Sequence, residues 1–384
     1  MPQAPTPGAQ PTPQPGAQPA VPLAPVPSPG VDPARRQVRA DAIAALQRAR
    51  GSDALICYIT STRPNLQALM MQDQIRFFYD HLPTERVDKL DLLIHSDGGD
   101  SVVPWRLMTL LRERANEITV LVPYRAFSAA TATALGADNI IMHPMGTLGP
   151  IDPSVNTPFN PLDKQTGQRL PVSVEDVAAY TALVKEDVGI RHEDELVQAF
   201  TLLVDAVSPL TLGSAKRITA QARMLGEKLV ELRNKPPDQH EIDVLLGRLT
   251  TELYFHGHPI GREEARGLEL PVAKTVPADV ENAMWDLYLA YEEDMLLTDA
   301  WDAIAEALSK GVVPLPPIQS GQQFALQWVP RPGLIPATRV VIESATRADV
   351  LEQDLRVEIA RMPNGTVSGS TTATRTEWVR LPKP

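Results

Sequence analysis

Two short segments of the chain carry residue types that suit acyl-transfer chemistry. Residues 95–100 read His-Ser-Asp-Gly-Gly-Asp, and residues 126–131 read Ala-Phe-Ser-Ala-Ala-Thr. Each segment follows an apolar run that is typical of a buried strand, and a helix is predicted after each. Gly98 and Gly99 allow a backbone to approach a ligand closely, and Ser128 places a hydroxyl at the start of a helix. A hydroxyl that faces backbone N–H donors is what a serine hydrolase requires.

Each of these features also has a purely structural interpretation. The glycine pair could form a tight turn between a strand and a helix, with Asp100 or Ser101 capping that helix. Ser128 could be the N-cap of a buried helix, because residues 128–138 are nearly all small enough for close packing. From the residues alone, the functional and the structural interpretation of Ser128 both stay open.

The elements that would position these residues alternate along the chain. Strands are predicted at 54–60, 90–95, 118–123 and 139–142, and helices at 34–49, 67–82, 103–115 and 128–136. This alternation is typical of βαβ units around a mostly parallel sheet. In such sheets the functional site lies at the carboxyl ends of the strands, and both segments fall there. The fold class that we predict is α/β.

The rest of the chain divides by composition. Residues 1–34 are rich in Pro, Ala and Gln and carry no charge before Asp32, so we predict a disordered tail. The α/β domain is predicted over 35–276, with further helices at 173–187, 193–207, 212–233 and 238–255. A long helix is predicted at 278–308, within a segment 277–311. Residues 312–384 are predicted to form a proline-rich linker and a small β-rich appendage, with short strands at 340–343, 355–359 and 377–381.

Composition and charge narrow the function classes. The formal net charge of −11 argues against general nucleic-acid binding. Cys57 is the sole cysteine, so no disulfide can form within the chain, and its apolar strand indicates a small core residue. No apolar run reaches the roughly 18–20 residues that span a membrane, and no basic segment followed by an apolar one marks a secretion signal. The simplest expectation is a cytoplasmic protein without a membrane span.

The large apolar residues of the predicted helix at 278–308 need cover. They include Met284, Trp285, Leu287, Tyr288, Tyr291 and Trp301. The cover could come from the chain's own core or from a neighbouring subunit. For the protein as a whole we expect a homo-oligomer.

Residues 54–273 contain a series of motifs that resembles the serine dehydrogenase proteinase family. The motifs, in chain order, are 93–99 (LIHSDGG), 122–131 (VPYRAFSAAT), 137–142 (ADNIIM), 148–153 (LGPIDP), 208–213 (SPLTLG), 258–260 (HPI) and 264–268 (EARGL). That family is grouped with signal peptide peptidase A and the Clp proteolytic subunit in the ClpP/crotonase superfamily. The resemblance is specific because several motifs occur in the right order.

The resemblance implies a fold, an assembly and a site. The fold would be a ClpP/crotonase-like spiral of βαβ units, often assembled into trimers or hexamers, and here extended by helices and the β-rich segment. Ser128 would be the nucleophile, and the N–H groups of Gly99 and Ala129 would form the oxyanion hole beside Gly98. No metal or other cofactor is implied. The nucleotide-binding pattern Gly-x-Gly-x-x-Gly does not follow any predicted strand.

The general base is not settled by the motifs. The Clp subunits use a histidine, and the corresponding place here lies near Asp152, which could orient a base or a substrate amine. Relatives of signal peptide peptidase use a lysine, for which Lys185 and Lys164 are the candidates. Lys185 flanks an apolar helix stripe, where burial would lower its pKa and let it act as a neutral base. The alternative interpretation is a surface lysine beside Glu186 and Asp187.

A histidine is the alternative to a lysine as the base. His95 and His143 lie close to the motifs in sequence, and a structural role is expected for His143. The pair His256 and His258 has no carboxylate or cysteine partner at metal-site spacing, so a capping or packing role is expected.

The sequence therefore predicts a serine peptidase that acts on peptide or protein substrates. Ser128, an oxyanion hole at Gly99 and Ala129, and a lysine base, first of all Lys185, would carry the reaction. One alternative is a catalytically inactive oligomeric scaffold of the same fold, which the unassigned base keeps open. Another is crotonase-type acyl-CoA chemistry, which needs the oxyanion donors but no nucleophile.

Overall fold

The fold is described from a computed structural model, which covers residues 33–151, 154–155, 157–252, 257–311, 327–328, 333–362 and 366–383. The strands, in chain order, are β1 Ala54–Thr60, β2 Val87–His95, β3 Ala115–Val122, β4 Arg125–Ala126, β5 Asn139–Met142, β6 Thr147–Leu148, β7 Ser154–Val155, β8 Val172–Ser173, β9 Gln327–Trp328, β10 Gly333–Ser344, β11 Arg347–Arg361 and β12 Val367–Arg380. The helices are α1 Pro33–Arg50, α2 Ile75–His81, α3 Val103–Arg112, α4 Ala129–Leu135, α5 Val174–Ala182, α6 Glu193–Ala206, α7 Pro209–Glu231, α8 Gln239–Gly247, α9 Arg262–Gly267, α10 Ala278–Met295 and α11 Ala303–Ser309.

The predicted parallel sheet forms the centre of the molecule. Strands β1, β2, β3 and β5 lie side by side in that order, all parallel, with Cys57 opposite Leu93 and Leu93 level with Leu121. Consecutive residues of these strands are buried because the sheet is covered on both faces. Parallel strands in register bring the segments after β2 and β3 to one edge, where a bridge joins Ser96 to Ala126. The predicted α/β class is confirmed.

The β-rich C-terminal segment is present, but it is not a separate appendage. Strand β10 pairs antiparallel with β1, and β11 and β12 follow, so the sheet order is β12-β11-β10-β1-β2-β3-β5. Val340 and Ile342 pack into the core on one face of the sheet, and Val341 packs into the core on the other. The strands therefore complete the edge of β1 that would otherwise be unpaired. The turn predicted at 363–365 lies outside the described residues.

Two apolar cores sandwich the sheet. One lies beneath α2, α3, α4, α7 and α8, and the other lies beneath α1 and α10. In the second core, Met284, Leu287, Tyr288 and Tyr291 of α10 are buried against the sheet. The cover for these large residues comes from the chain's own core, the first of the two alternatives that the sequence left open.

Three predicted helices have different bounds. The helix predicted at 278–308 ends at Met295, where Leu296 takes a left-handed conformation with φ of 52°, and α11 follows separately. The helix predicted at 67–82 begins only at Ile75, because Met70 is extended and pairs with Gly99. The helix predicted at 238–255 ends in a π-turn at 248–252, beyond which the next residues are not described.

Helices α5 and α6 form a weakly buried arm. Helix α5 continues into a π-turn at Leu183–Asp187, and α6 has no buried residue. Three large side chains of α6 are mostly exposed, at 63% for Val197, 57% for Phe200 and 67% for Leu202. No single helix in the described ranges is long and apolar enough to cross a membrane, although α6 and α7, bent at 97°, reach that length and hydropathy together.

Candidate active site

Ser128 occupies a strained turn between β4 and α4. Its backbone has φ of 52° and ψ of −113°, although it is not a glycine. Such conformations cost on the order of 1–3 kcal/mol and cluster at functional sites. The helix starts directly behind it, with the N–H of Ala130 donating to the carbonyl of Phe127 at 2.9 Å. In α/β-hydrolases, a sharp strand-to-helix turn exposes the hydroxyl of the serine at the edge of the sheet.

Hydrogen bonds on both sides hold the strained turn in place. The N–H of Ser96 donates to the carbonyl of Arg125, and the N–H of Phe127 donates to the carbonyl of Ser96, each at 3.0 Å. The hydroxyl of Thr131 donates to the carbonyl of Ala126 at 2.6 Å. Because the surrounding bonds fix β4 and the first turn of α4, the backbone of Ser128 cannot relax without breaking them.

The glycine pair lies directly against this turn. A Cβ on Gly98 would be 2.7 Å from the Cβ of Ser128, and a Cβ on Gly99 would be 2.3 Å from the carbonyl oxygen of Met70. No other residue type fits either position without a shift. The N–H of Met70 donates to the carbonyl of Gly98, and the N–H of Asp100 donates to the carbonyl of Met70. Since peptide groups alternate along an extended segment, the N–H of Gly99 points away from Met70.

Ser128 opens into a groove of about 490 Å³. One wall contains Gly99, Asp100, Ser101, Ala129 and Ala132, and the opposite wall is α7. Helix α7 contributes a stripe of residues at helical spacing, namely Ile218, Ala222, Leu225 and Leu229, together with Gln221 and Gly226. The groove is mostly apolar and large enough for several atoms of a peptide side chain. No motif in the sequence marked this wall, although the helical spacing of its apolar residues could have revealed it.

Two histidines close to the motifs have structural roles. The Nδ1 atom of His95 faces the N–H of Arg125 at 3.4 Å, and its Nε2 lies 3.0 Å from the hydroxyl of Thr62. Burial, together with the charge of Arg125, lowers the pKa of His95 to about 3, so the ring stays neutral. His143 stacks on Trp285 with ring centroids 4.6 Å apart, and burial lowers its pKa as well. Both ring nitrogens of His95 are occupied, which leaves none free for Ser128.

The two candidate lysines lie away from the lining of this groove. Lys185 is exposed in the π-turn after α5 and lines a different, smaller pocket with Phe200 of α6. Lys164 is exposed in the loop between β7 and β8. Among the described residues that line the groove there is neither lysine nor histidine. Asp152 follows the groove residue Ile151 and lies outside the described residues.

Of the two histidines considered for a metal site, the structure describes His258, whereas His256 lies outside the described ranges. The Nε2 atom of His258 is 2.7 Å from a carboxylate oxygen of Glu264. This contact gives His258 a partner within the following helix, α9. Within the described parts of the chain, no group of three or more His, Cys, Asp or Glu side chains is placed to hold a metal ion.

Comparison with known proteins finds a family model and relatives that match part of the chain. The family model of the ClpP-like SDH-type serine proteinases matches residues 72–208. Two uncharacterized proteins of Methanocaldococcus jannaschii are 28% identical over 200 residues and 26% identical over 191 residues. These matches cover 52% and 50% of this chain, and 58% and 54% of the relatives. The chain thus spans little more than half the length of the curated relatives that it matches.

A search of solved structures finds a mutant of the membrane-bound stomatin-specific protease 1510-N. It is 14% identical, and the match covers 53% of this chain and 73% of that one, with a TM-score of 0.25. A TM-score this low carries no argument about geometry. The matched residues include the glycine pair, Ser128 and the groove wall that contains Gly99 and Ala129. The resemblance predicted from the motifs is therefore confirmed over residues 72–208, the part of the chain that matches the ClpP-like SDH-type serine proteinases.

Proposed function

We propose that the protein is a serine peptidase in which Ser128 is the nucleophile. The observation that carries this proposal is the strained backbone of Ser128, held at the mouth of an apolar groove against Gly98. A serine that served only as a helix cap would have no need of this conformation. Its side chain also accepts no capping hydrogen bond from α4, which argues against the structural interpretation of Ser128.

The proposed reaction follows from the groups around the groove. The Oγ of Ser128 attacks the peptide carbonyl while a base takes its proton. The N–H groups of Gly99 and Ala129 then hold the negative oxygen of the tetrahedral intermediate. Gly99 faces away from Met70, and Ala129 is the first residue of α4, so no bond within the helix uses its N–H. The base returns the proton to the leaving amine, and water releases the acyl group.

A lysine is the base that we propose, with Lys185 as the first candidate and Lys164 as the second. Val177 of α5 packs in a small cluster with Ile218, which also lines the groove. Lys185 lies eight residues beyond Val177, about 12 Å further along the helix axis. Lys185 is exposed, so its amine must move towards the groove before it can take the proton of Ser128.

A fluorophosphonate probe tests the nucleophile without knowledge of the substrate. We expect covalent labelling of Ser128 in the wild-type protein and none at that position in Ser128→Ala. Ser101→Ala is the matched control, because Ser101 is the other serine in the groove, and it should be labelled as the wild type is. Equal labelling of wild type and Ser128→Ala, with no modified Ser128 peptide, would contradict the proposal.

The base is tested by comparing Lys185→Ala and Lys164→Ala. Loss of a general base typically costs about 10²–10⁴-fold in rate. The labelling rate at Ser128 should fall by that factor in one variant and stay unchanged in the other. If neither variant changes the rate, the base is not one of these lysines.

An inactive scaffold is the second candidate function, and the absence of a base from the described groove lining favours it. For either function we propose a homo-oligomer. The observation behind this proposal is the arm of α5 and α6, in which Val197, Phe200 and Leu202 of α6 are mostly exposed. Phe200→Asp should lower the mass measured by sedimentation, whereas a wild-type protein that sediments as a monomer of 41.9 kDa would contradict this part of the proposal.

A further inference from the structure

A second cavity, of about 580 Å³, lies at the other end of the sheet. It opens beside Ala54 and Leu55, at the amino end of β1, whereas Ser128 lies at the carboxyl edge. The last residue of α2 and the turn between β10 and β11 line its inner part. Its volume falls within the range of small-molecule sites.

The inner part of this cavity contains a hydrogen-bonded serine, histidine and aspartate. The Oγ of Ser344 lies 3.1 Å from Nδ1 of His81, and Nε2 of His81 lies 3.1 Å from a carboxylate oxygen of Asp349. The side chains of His81 and Asp349 are almost fully buried, while Ser344 is half-buried and faces the cavity. A nucleophile, a base and a group that orients the base are thus in hydrogen-bond reach of one another.

The ionised state of Asp349 fixes the direction of its hydrogen bond with His81. Burial alone would raise the pKa of Asp349, but hydrogen bonds from His81 and Arg380 bring it below its usual value. An ionised carboxylate only accepts hydrogen bonds, so Nε2 of His81 carries the hydrogen. The proposed role of His81 as a base uses the neutral ring, in which Nδ1 is the acceptor for the hydroxyl of Ser344.

The surrounding residues hold the histidine rigidly. The Nε of Arg380 donates to Asp349 at 2.8 Å, and an Nη of Arg347 donates to the backbone carbonyl of Asp80 at 2.7 Å. These contacts connect α2 to strands β11 and β12. Orientation of the base by packed elements, rather than by a loop, is what a reactive site requires.

We propose that Ser344 is the nucleophile of a second acyl-transfer site, with His81 as its base and Asp349 as the residue that orients His81. The Oγ of Ser344 bonds to the acyl carbon of an ester as its proton passes to Nδ1 of His81. The ester C–O bond then breaks, and the alcohol leaves with that proton. Water attacks the acyl-Ser344 ester, again through His81, and regenerates the hydroxyl. Nothing in this step depends on Ser128.

The mouth of the cavity indicates the class of ester. The side chain of Arg380 is 50% exposed there, and Lys383 is exposed beside it. Arg380 is already paired with Asp80 and Asp349, so Lys383 is the cation that would attract a carboxylate carried on the acyl group. The site therefore fits a small ester with an anionic acyl part better than a neutral ester of the same length.

The test uses the full-length Ser128→Ala protein, in which the first site is silent. The probe is a fluorophosphonate, followed by mass spectrometry of the peptide that contains residue 344. We expect Ser344 to be labelled in Ser128→Ala, and the label to disappear in Ser128→Ala with Ser344→Ala. Ser128→Ala with Ser370→Ala is the matched control, because Ser370 is an exposed serine of β12 outside the lining of this cavity, and it should keep the label.

Ester hydrolysis gives a second readout. In Ser128→Ala, the mono-p-nitrophenyl ester of fumarate, whose trans carboxylate cannot attack its own ester, should be cleaved faster than p-nitrophenyl crotonate, and Ser344→Ala should lower that rate about 10²-fold or more. An unlabelled Ser344 in folded Ser128→Ala would overturn the proposal and leave the triad a structural contact. Labelling at Ser128 in the wild type is read separately, so the two sites can fail independently.

Discussion

Replacing Gly98 by alanine tests how tightly the glycine pair positions the nucleophile. The new Cβ would lie 2.7 Å from the Cβ of Ser128, 2.8 Å from the carbonyl oxygen of Phe127 and 3.1 Å from the nitrogen of Ala129. An ordinary contact between carbon atoms needs about 3.5 Å. The serine turn must therefore retreat by about 0.8 Å, because the atoms in contact belong to backbone or to a Cβ and cannot rotate away.

The displacement gives the size of the expected effect. A misplacement of about 1 Å can cost about 10²-fold in rate, which corresponds to about 2.7 kcal/mol in the activation free energy. Gly98 also has φ of 101°, which an L-residue rarely adopts, so the free energy of unfolding should fall by roughly 1–3 kcal/mol. We expect a folded but less stable protein whose Ser128 reacts about 10²-fold more slowly.

The assay is the rate of fluorophosphonate labelling at Ser128, measured beside urea unfolding. Gly51→Ala is the matched control, because Gly51 has φ of 60° but no atom within 4 Å of the new Cβ. It should lose stability and keep the labelling rate. If Gly98→Ala labels Ser128 as fast as the wild type does, or if Gly51→Ala slows it equally, the positioning argument is wrong.

Three further predictions concern stability. Burial holds the pKa of His95 at about 3, so unfolding takes up a proton at this residue between about pH 6.5 and pH 3. The free energy of unfolding should therefore fall by about 2 kcal/mol between pH 6.5 and pH 5 because of this group. In urea unfolding, this loss of stability at acid pH should be smaller in His95→Gln and unchanged in the exposed control His192→Gln. Glu343 is fully buried between two buried arginines, so Glu343→Ala should lower the free energy of unfolding by about 3–5 kcal/mol. The control Glu293→Ala removes an exposed ion pair and should lower it by less than about 1 kcal/mol. Equal decreases in the two variants would contradict the argument from burial. Removal of residues 1–31 should leave the melting temperature unchanged, and a marked drop would show that the tail packs on the body.

Local sequence patterns determined the centre of the fold and the identity of the nucleophile candidate. Apolar runs of strand length alternate with helical segments, and this order alone predicts a parallel sheet whose carboxyl edge collects the loops. The segments with Gly98 and Ser128 follow consecutive strands, so they had to meet. What the pattern could not show is the strain at Ser128, because it arises from hydrogen bonds to a neighbouring loop.

Contacts between distant parts of the chain decided the rest. Strand β10 pairs with β1 although the two strands are far apart in the sequence. The pattern of a short strand does not predict which edge of a sheet it will pair with. Ser344 and Asp349 are 263 and 268 residues from His81, and only the pairing of β10 and β11 beside α2 brings them together. Helix packing decides two further features, namely the groove wall formed by α7 and the exposed position of Lys185. Packing brings together side chains that are far apart in the sequence, so the periodicity within one helix does not predict it.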